Sequence, residues 1–158
     1  MKKLLLIVAA IITGISVSAQ DLEWSDLGEE IASGTNASVG AIEESFKSNG
    51  LDVKASTHFN PSTNSVNITF DFGSLDIVSL LNEESLTVFK DSFADAFVQG
   101  FLEEPGTDNN LFVDHVKIME KGKGEYRLIL KGNGNSKVIR ITPQDLKRVG
   151  AKNYGVKF

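Results

Sequence analysis

Apolar residues along the chain recur first at helical and then at strand spacing. Trp24, Leu27, Ile31, Val39, Ile42 and Phe46 fall on one helical face that starts at a Ser25 cap and stops at Asn49-Gly50. Gly34, Thr35, Asn36 and Gly40 weaken its middle, so the pattern predicts a break at 33–37 and two helices in place of one. Leu51, Val53, Ala55, Thr57 and Phe59 then alternate with Asp52, Lys54, Ser56 and His58. Beyond the turn formers Asn60-Pro61-Ser62-Thr63-Asn64, the residues Val66, Ile68, Phe70 and Phe72 alternate with Asn67, Thr69 and Asp71. Period-two alternation across such a turn predicts a hairpin of two half-buried strands.

Helical spacing returns after a linker at 74–81. Asn82 suits a cap, Glu83 and Glu84 place negative charge at the positive end of the helix dipole, and Leu86, Phe89, Phe93, Phe97 and Phe101 form an apolar stripe. Breakers occupy 104–110. Three strand-like runs follow at 111–121, 125–131 and 137–142, separated by Gly122-Lys123-Gly124 and by Asn133-Gly134, a dipeptide suited to the positive φ angles of a tight hairpin turn. Pro143-Gln144-Asp145 opens a last short helix to about residue 149.

Helix, hairpin, helix and three-stranded meander predict an α+β fold with an antiparallel sheet, because short turns cannot make parallel crossovers, and with helices on one face. In architecture this order resembles the cystatin-like and NTF2-like group, where a helix lies in the curve of a coiled sheet. The likeness is one of topology and carries no motif, so it implies no activity.

The first residues read as an address. Lys2 and Lys3 precede an apolar stretch at 4–12, and Val17-Ser18-Ala19 offers small residues before Gln20, the pattern of a bacterial signal peptide at 1–19 with a single α+β domain at 20–158. The stretch is shorter than the ~20 apolar residues of a spanning helix, so no stable membrane insertion is expected after cleavage. The chain has no Cys, which rules out a lipid anchor at the cleavage point and leaves the exported product free in the periplasm or outside the cell. Export permits disulfides, so a cysteine-free domain must hold itself together by its core.

Composition changes the picture mainly through charge. A 41% hydrophobic content with a net charge of −5 excludes a disordered chain. The distribution, however, is bipolar: residues 20–116 hold 18 acids and 3 bases, and 117–158 hold 3 acids and 11 bases. Arg127 and Lys131 alternate onto one strand face, with Lys137 and Arg140 nearby. Three readings follow: a solvated face balanced by the acidic helices, a dock for an anionic ligand or acidic protein surface, or one half of a head-to-tail homo-oligomer. Nucleic acid is not expected, since the domain is acidic and only Tyr126 and Tyr154 lie near the basic strands for stacking. The Phe stripe reads as core or, with Ala94, Ala96 and Gly100 leaving space beside Phe93 and Phe97, as the wall of an apolar cavity facing Val66, Ile68, Phe70 and Leu128.

Candidate chemistry is sparse. His58 and His115 are the only histidines, thiol catalysis is impossible, and no Gly-x-Ser-x-Gly elbow is present. In the predicted strand, Asp114 and His115 point to opposite faces. The paired acids Glu29-Glu30, Glu43-Glu44, Glu83-Glu84 and Glu103-Glu104 splay apart on helices. Asp108-Asn109-Asn110 with Asp114 lacks the residue order of a calcium loop, so no metal is expected. The glycine turns join strands without the context of a phosphate loop, so no cofactor is expected either. The sequence therefore favours an exported, non-enzymatic module that binds a ligand or partner through Arg127, Lys131, Lys137 and Arg140 or over Phe93 and Phe97. The alternatives are a small hydrolase or isomerase with His58 or His115 as general base, and a self-assembling structural subunit.

Overall fold

The first helical pattern gives α1 (Trp24–Asn36) and α2 (Val39–Lys47); α1 stays helical through residues 33–36, where a break was expected, and residues 37–38 lie outside the described residues. The computed structural model describes residues 23–36, 39–103 and 109–158, so the expected signal peptide lies outside the described residues. The hairpin follows as β1 (Lys54–Asn60) and β2 (Ser65–Asp71), with Ala55, Val66, Ile68 and Phe70 buried as their alternation requires. The Phe stripe lies on α3 (Glu83–Glu103), whose start is capped by Asn82 Oδ1 accepting from the Ser85 amide at 2.8 Å.

The run at 111–121, expected as a strand, is instead a helix, α4 (Asn109–Lys121). Its aromatic and β-branched residues suit a strand by propensity. Phe112, His115, Val116 and Met119, however, share one helical face and are all buried, and burial of that face decides the outcome. Gly122-Lys123-Gly124 accordingly joins a helix to β3 (Glu125–Gly132), with Lys123 in the left-handed region at φ 53°. Asn133 (φ 53°) and Gly134 (φ 77°) then turn the chain tightly into β4 (Asn135–Ile141). The last helix, α5 (Pro143–Tyr154), starts with a Thr142–Asp145 capping box and runs longer than expected, to a Gly155 cap at φ 66°.

The α+β class therefore stands, with a four-stranded sheet in the order β1-β2-β3-β4. The antiparallel sheet of hairpin plus meander does not. β1 pairs with β2 and β3 with β4 antiparallel, but β2 and β3 are parallel, from Ser65↔Glu125 to Asp71↔Lys131. Two helices between β2 and β3 supply the crossover that a short turn could not. The hairpin-then-meander order on which the likeness to the cystatin-like and NTF2-like group rested is thus not the order found.

The start of the parallel pair is tied by Asn64, in the left-handed region at φ 53°. Its carbonyl accepts from Trp24 Nε1 at 2.8 Å and from the Glu125 amide at 3.3 Å, and its side-chain amide donates to the Gly122 carbonyl. Trp24 is itself buried, edge-on to Tyr126 at 5.6 Å between ring centres, and packed against Gly124 so closely that a Cβ there would stand 2.1 Å from its Nε1. One residue of the hairpin turn thereby joins α1, the Gly122 turn that follows α4, and β3.

Asn tolerates the left-handed region better than Ala, whereas Gly visits it freely. Asn64→Ala should therefore lose both the side-chain hydrogen bond and the favourable φ, at about 2 kcal/mol, and Asn64→Gly the hydrogen bond alone, at about 1 kcal/mol. Urea unfolding followed by Trp24 emission checks the ranking; equal losses would show that φ contributes nothing at this position.

Candidate functional site

Strand register sorts the sheet into two faces. One carries Ala55, Thr57 and Phe59 of β1, Val66, Ile68 and Phe70 of β2, Tyr126, Leu128 and Leu130 of β3, and Ile139 and Ile141 of β4. The helices pack here. The Thr57 hydroxyl donates to the Ala32 carbonyl of α1 at 2.7 Å, Phe46 of α2 meets Phe70, and Phe93 and Phe97 of α3 meet Tyr126.

The opposite face is polar and is built in rows across the strands. His58, Asn67, Arg127 and Arg140 stand in one row, with Asn60, Ser65 and Glu125 in the row on one side. Ser56, Thr69, Ile129 and Val138 follow on the other side, then Lys54, Asp71, Lys131 and Ser136. Ser65, Asn67 and Glu125 are buried at its floor. Such buried polar groups need partners, and they have them. Ser65 Oγ donates to Asn67 Oδ1 at 2.6 Å. Glu125 accepts from Arg127 Nε at 2.7 Å and from Arg140 Nε and Nη2 at 2.7 and 2.6 Å, the second a bidentate fork. Burial alone would raise the Glu125 carboxyl, but the hydrogen bonds and charges of the two arginines outweigh burial and hold it below the ordinary range.

The expected basic residues are thus partly brought together. Arg127, Lys131 and Arg140 share the open face, whereas Lys137 stands opposite Leu130 and belongs to the helix side of the sheet, at its exposed edge. With Lys54 of β1 the open face carries four cations, of which Arg127 and Arg140 share Glu125 as counterion. Among the described residues neither Lys131 nor Lys137 makes an ion pair. Sequence reasoning missed Glu125, although its spacing of two from Arg127 placed the pair on one strand face. It also missed Ser65, as well as Asn67, whose strand alternation read as solvent-facing.

Part of the remaining charge is matched inside the domain. Arg148 reaches Asp91 at 2.7 Å, Lys147 reaches Glu120 at 2.7 Å and Lys90 reaches Asp145 at 3.2 Å, so basic α5 is fastened to acidic α3 and to α4. Phe93 and Phe97 are wholly buried, and Ala94 and Ala96 beside them are buried too. A groove along α3 lies instead at its first half, facing β4, and is lined by Glu83, Leu86, Lys90 and Ile139 among others.

The two histidines part company. His58 is exposed on the open face opposite Asn67. His115, with Asp114 its neighbour on α4 and not on a strand, is buried between Trp24, Phe97, Phe101 and Tyr126. Its Nε2 lies 2.8 Å from the Tyr126 hydroxyl. Burial pushes the His115 imidazole down to about 3 and the Tyr126 phenol up, so both stay neutral at pH 7. A neutral imidazole enclosed by rings acts here as a packing element. Of the turn considered for a metal, Asp108 lies outside the described residues and Asp114 sits within α4. Among the described residues no helix is long and apolar enough to cross a membrane. Comparison with family models, with curated proteins and with solved structures gives no match.

The buried histidine makes stability depend on pH. The unfolded chain takes up a proton at His115 near pH 6.5, while the folded chain refuses it down to about 3, so this contribution is present above 6.5 and lost as pH falls through that window. Urea unfolding between pH 8 and pH 5 should show stability declining from about pH 6.5 in the native chain and staying level in His115→Gln. Identical slopes in the two chains would contradict a neutral buried imidazole.

Proposed function

We propose that the chain is a non-enzymatic binding module that presents the open face of its sheet to an anionic ligand or an acidic protein surface. Arg127, Lys131 and Arg140 are its contacts, with Lys137 at the adjacent edge. The observation that carries this reading is the gathering of the three cations on one face, over a buried floor of Ser65, Asn67 and Glu125 that fixes two of them in place. An arginine already held by a carboxylate loses little side-chain freedom on meeting a second anion, and preorganisation of this kind raises affinity without added contact area. Lys2, Lys3 and the apolar stretch before Gln20 support the companion proposal that residues 1–19 direct export, so that the module works in the periplasm or outside the cell.

Heparin serves as an anionic probe. Replacing Lys131 and Arg140 with Gln removes two charges while leaving Glu125 its partner Arg127. The double variant should bind a fluorescein-labelled heparin oligosaccharide about tenfold more weakly, or ~1.4 kcal/mol, at low salt. Amide shifts in the native chain should map to β2, β3 and β4. Unchanged affinity, or shifts confined to the helices, would overturn the open-face reading.

A further inference from the structure

The outer edge of β4 carries a separate inference, which uses strand backbone and the wall of α3 in place of the open face. Asn133 and Gly134 form a two-residue turn closed by Gly132↔Asn135. In a hairpin of this kind the closing pair exchanges hydrogen bonds, and so does every second pair beyond it, here Leu130↔Lys137, Leu128↔Ile139 and Tyr126↔Ile141. The amides and carbonyls of Ser136, Val138 and Arg140 therefore point away from β3. β4 is the last strand in the sheet, so among the described residues no further strand meets them.

Such an edge is a template for another strand. Beyond it stands the first half of α3, and the space between is a groove of about 400 Å³ lined by Glu83, Leu86, Thr87 and Lys90 on the helix and by Val138, Ile139 and Arg140 on the strand. Val138 is 44% exposed. A strand edge beside a helix wall offers main-chain hydrogen bonds to an extended peptide and apolar contact to alternate side chains.

Charge selects the occupant. Residues 133–141 contain Lys137 and Arg140 and no acid, and with Lys90 on the helix wall they outnumber Glu83, the acid that lines the groove. Lys90 and Arg140 are held by Asp145 and Glu125, whereas Lys137 makes no ion pair among the described residues and is the charge open to an acidic strand. A second copy pairing antiparallel about Val138 would bring each Lys137 diagonally beside its mate, where like charges repel. An acidic strand would be attracted. We propose that the β4 edge and the facing half of α3 form a strand-addition site for an extended, acidic segment of a partner protein, its alternate apolar residues entering between Leu86 and Ile139.

The probes are two fluorescein-labelled heptapeptides, valine alternating with glutamate and valine alternating with lysine, titrated at low salt into the full chain. The glutamate peptide should bind saturably and at least about tenfold more tightly than its lysine counterpart. It should slow amide exchange at Ser136, Val138 and Arg140 while leaving the already paired Lys137 and Ile139 unchanged. Val138→Pro removes one outward N–H at an edge position where proline is tolerated, and should abolish peptide binding while heparin binding on the open face persists. Should that variant unfold, Lys137→Glu decides the matter without touching the backbone, by a loss of about tenfold in affinity for the glutamate peptide. The site is overturned by absent or non-saturable binding, by equal affinity for the two peptides, by exchange slowed only on the open face, or by a dimer that protects the three outward amides without peptide.

Discussion

The parallel pairing of β2 with β3 is the constraint on which the remaining architecture depends. Two antiparallel hairpins, each closed locally, must lie side by side in the same direction, and only a crossover connection permits this. α3 and α4 supply it, and in doing so commit the Phe stripe and the Phe112–Met119 face to one side of the sheet. Asn64 fixes where the pairing begins, because its carbonyl serves both the Trp24 indole and the first amide of β3. With the helices on one side, the polar rows gather on the other, and the groove opens where the first half of α3 runs past the outermost strand.

Electrostatics follow the same division. The acidic and basic parts of the sequence are matched mainly where α5 meets α3 and α4, through Arg148, Lys147 and Lys90. On the open face the match is local: one buried carboxylate, Glu125, holds two guanidinium groups that reach toward solvent. The shared carboxylate ties Arg127 of β3 to Arg140 of β4, and removing Glu125 would leave both guanidinium groups without their counterion. His115 represents the opposite solution, a titratable group enclosed by rings and kept uncharged.

Most elements were legible in the sequence because a single periodicity dominated each of them. Alternation marked β1 and β2, Asn133-Gly134 marked the β3–β4 turn, and Asn82 with two glutamates marked the start of α3. The run at 111–121 carried two signals at once, strand propensity from Phe112, Val113, Val116 and Ile118 and helical spacing from Phe112, Val116 and Met119. Propensity is a preference of isolated residues, and burial against α3 and α5 outweighed it. From that one substitution of strand by helix came the error in sheet topology, since a meander needs no crossover. The candidate site was half legible: strand alternation put Arg127 and Lys131 on one face, but no local pattern reveals that Arg140 arrives through the hairpin register or that Glu125 lies buried beneath both arginines.

The same parallel pairing distributes the entropic cost of folding unevenly. Each hairpin closes over a short turn, and helix α5 caps itself within its own first residues through Thr142 and Asp145. The contact between β2 and β3 alone must close the whole span from Phe72 to Gly124, a loop whose ordering draws on no gain until its ends have met. One set of contacts of high sequence separation therefore runs along this seam in the middle of the sheet, and Trp24 and Asn64, which sit at its end, hold the two halves of the chain to a common origin.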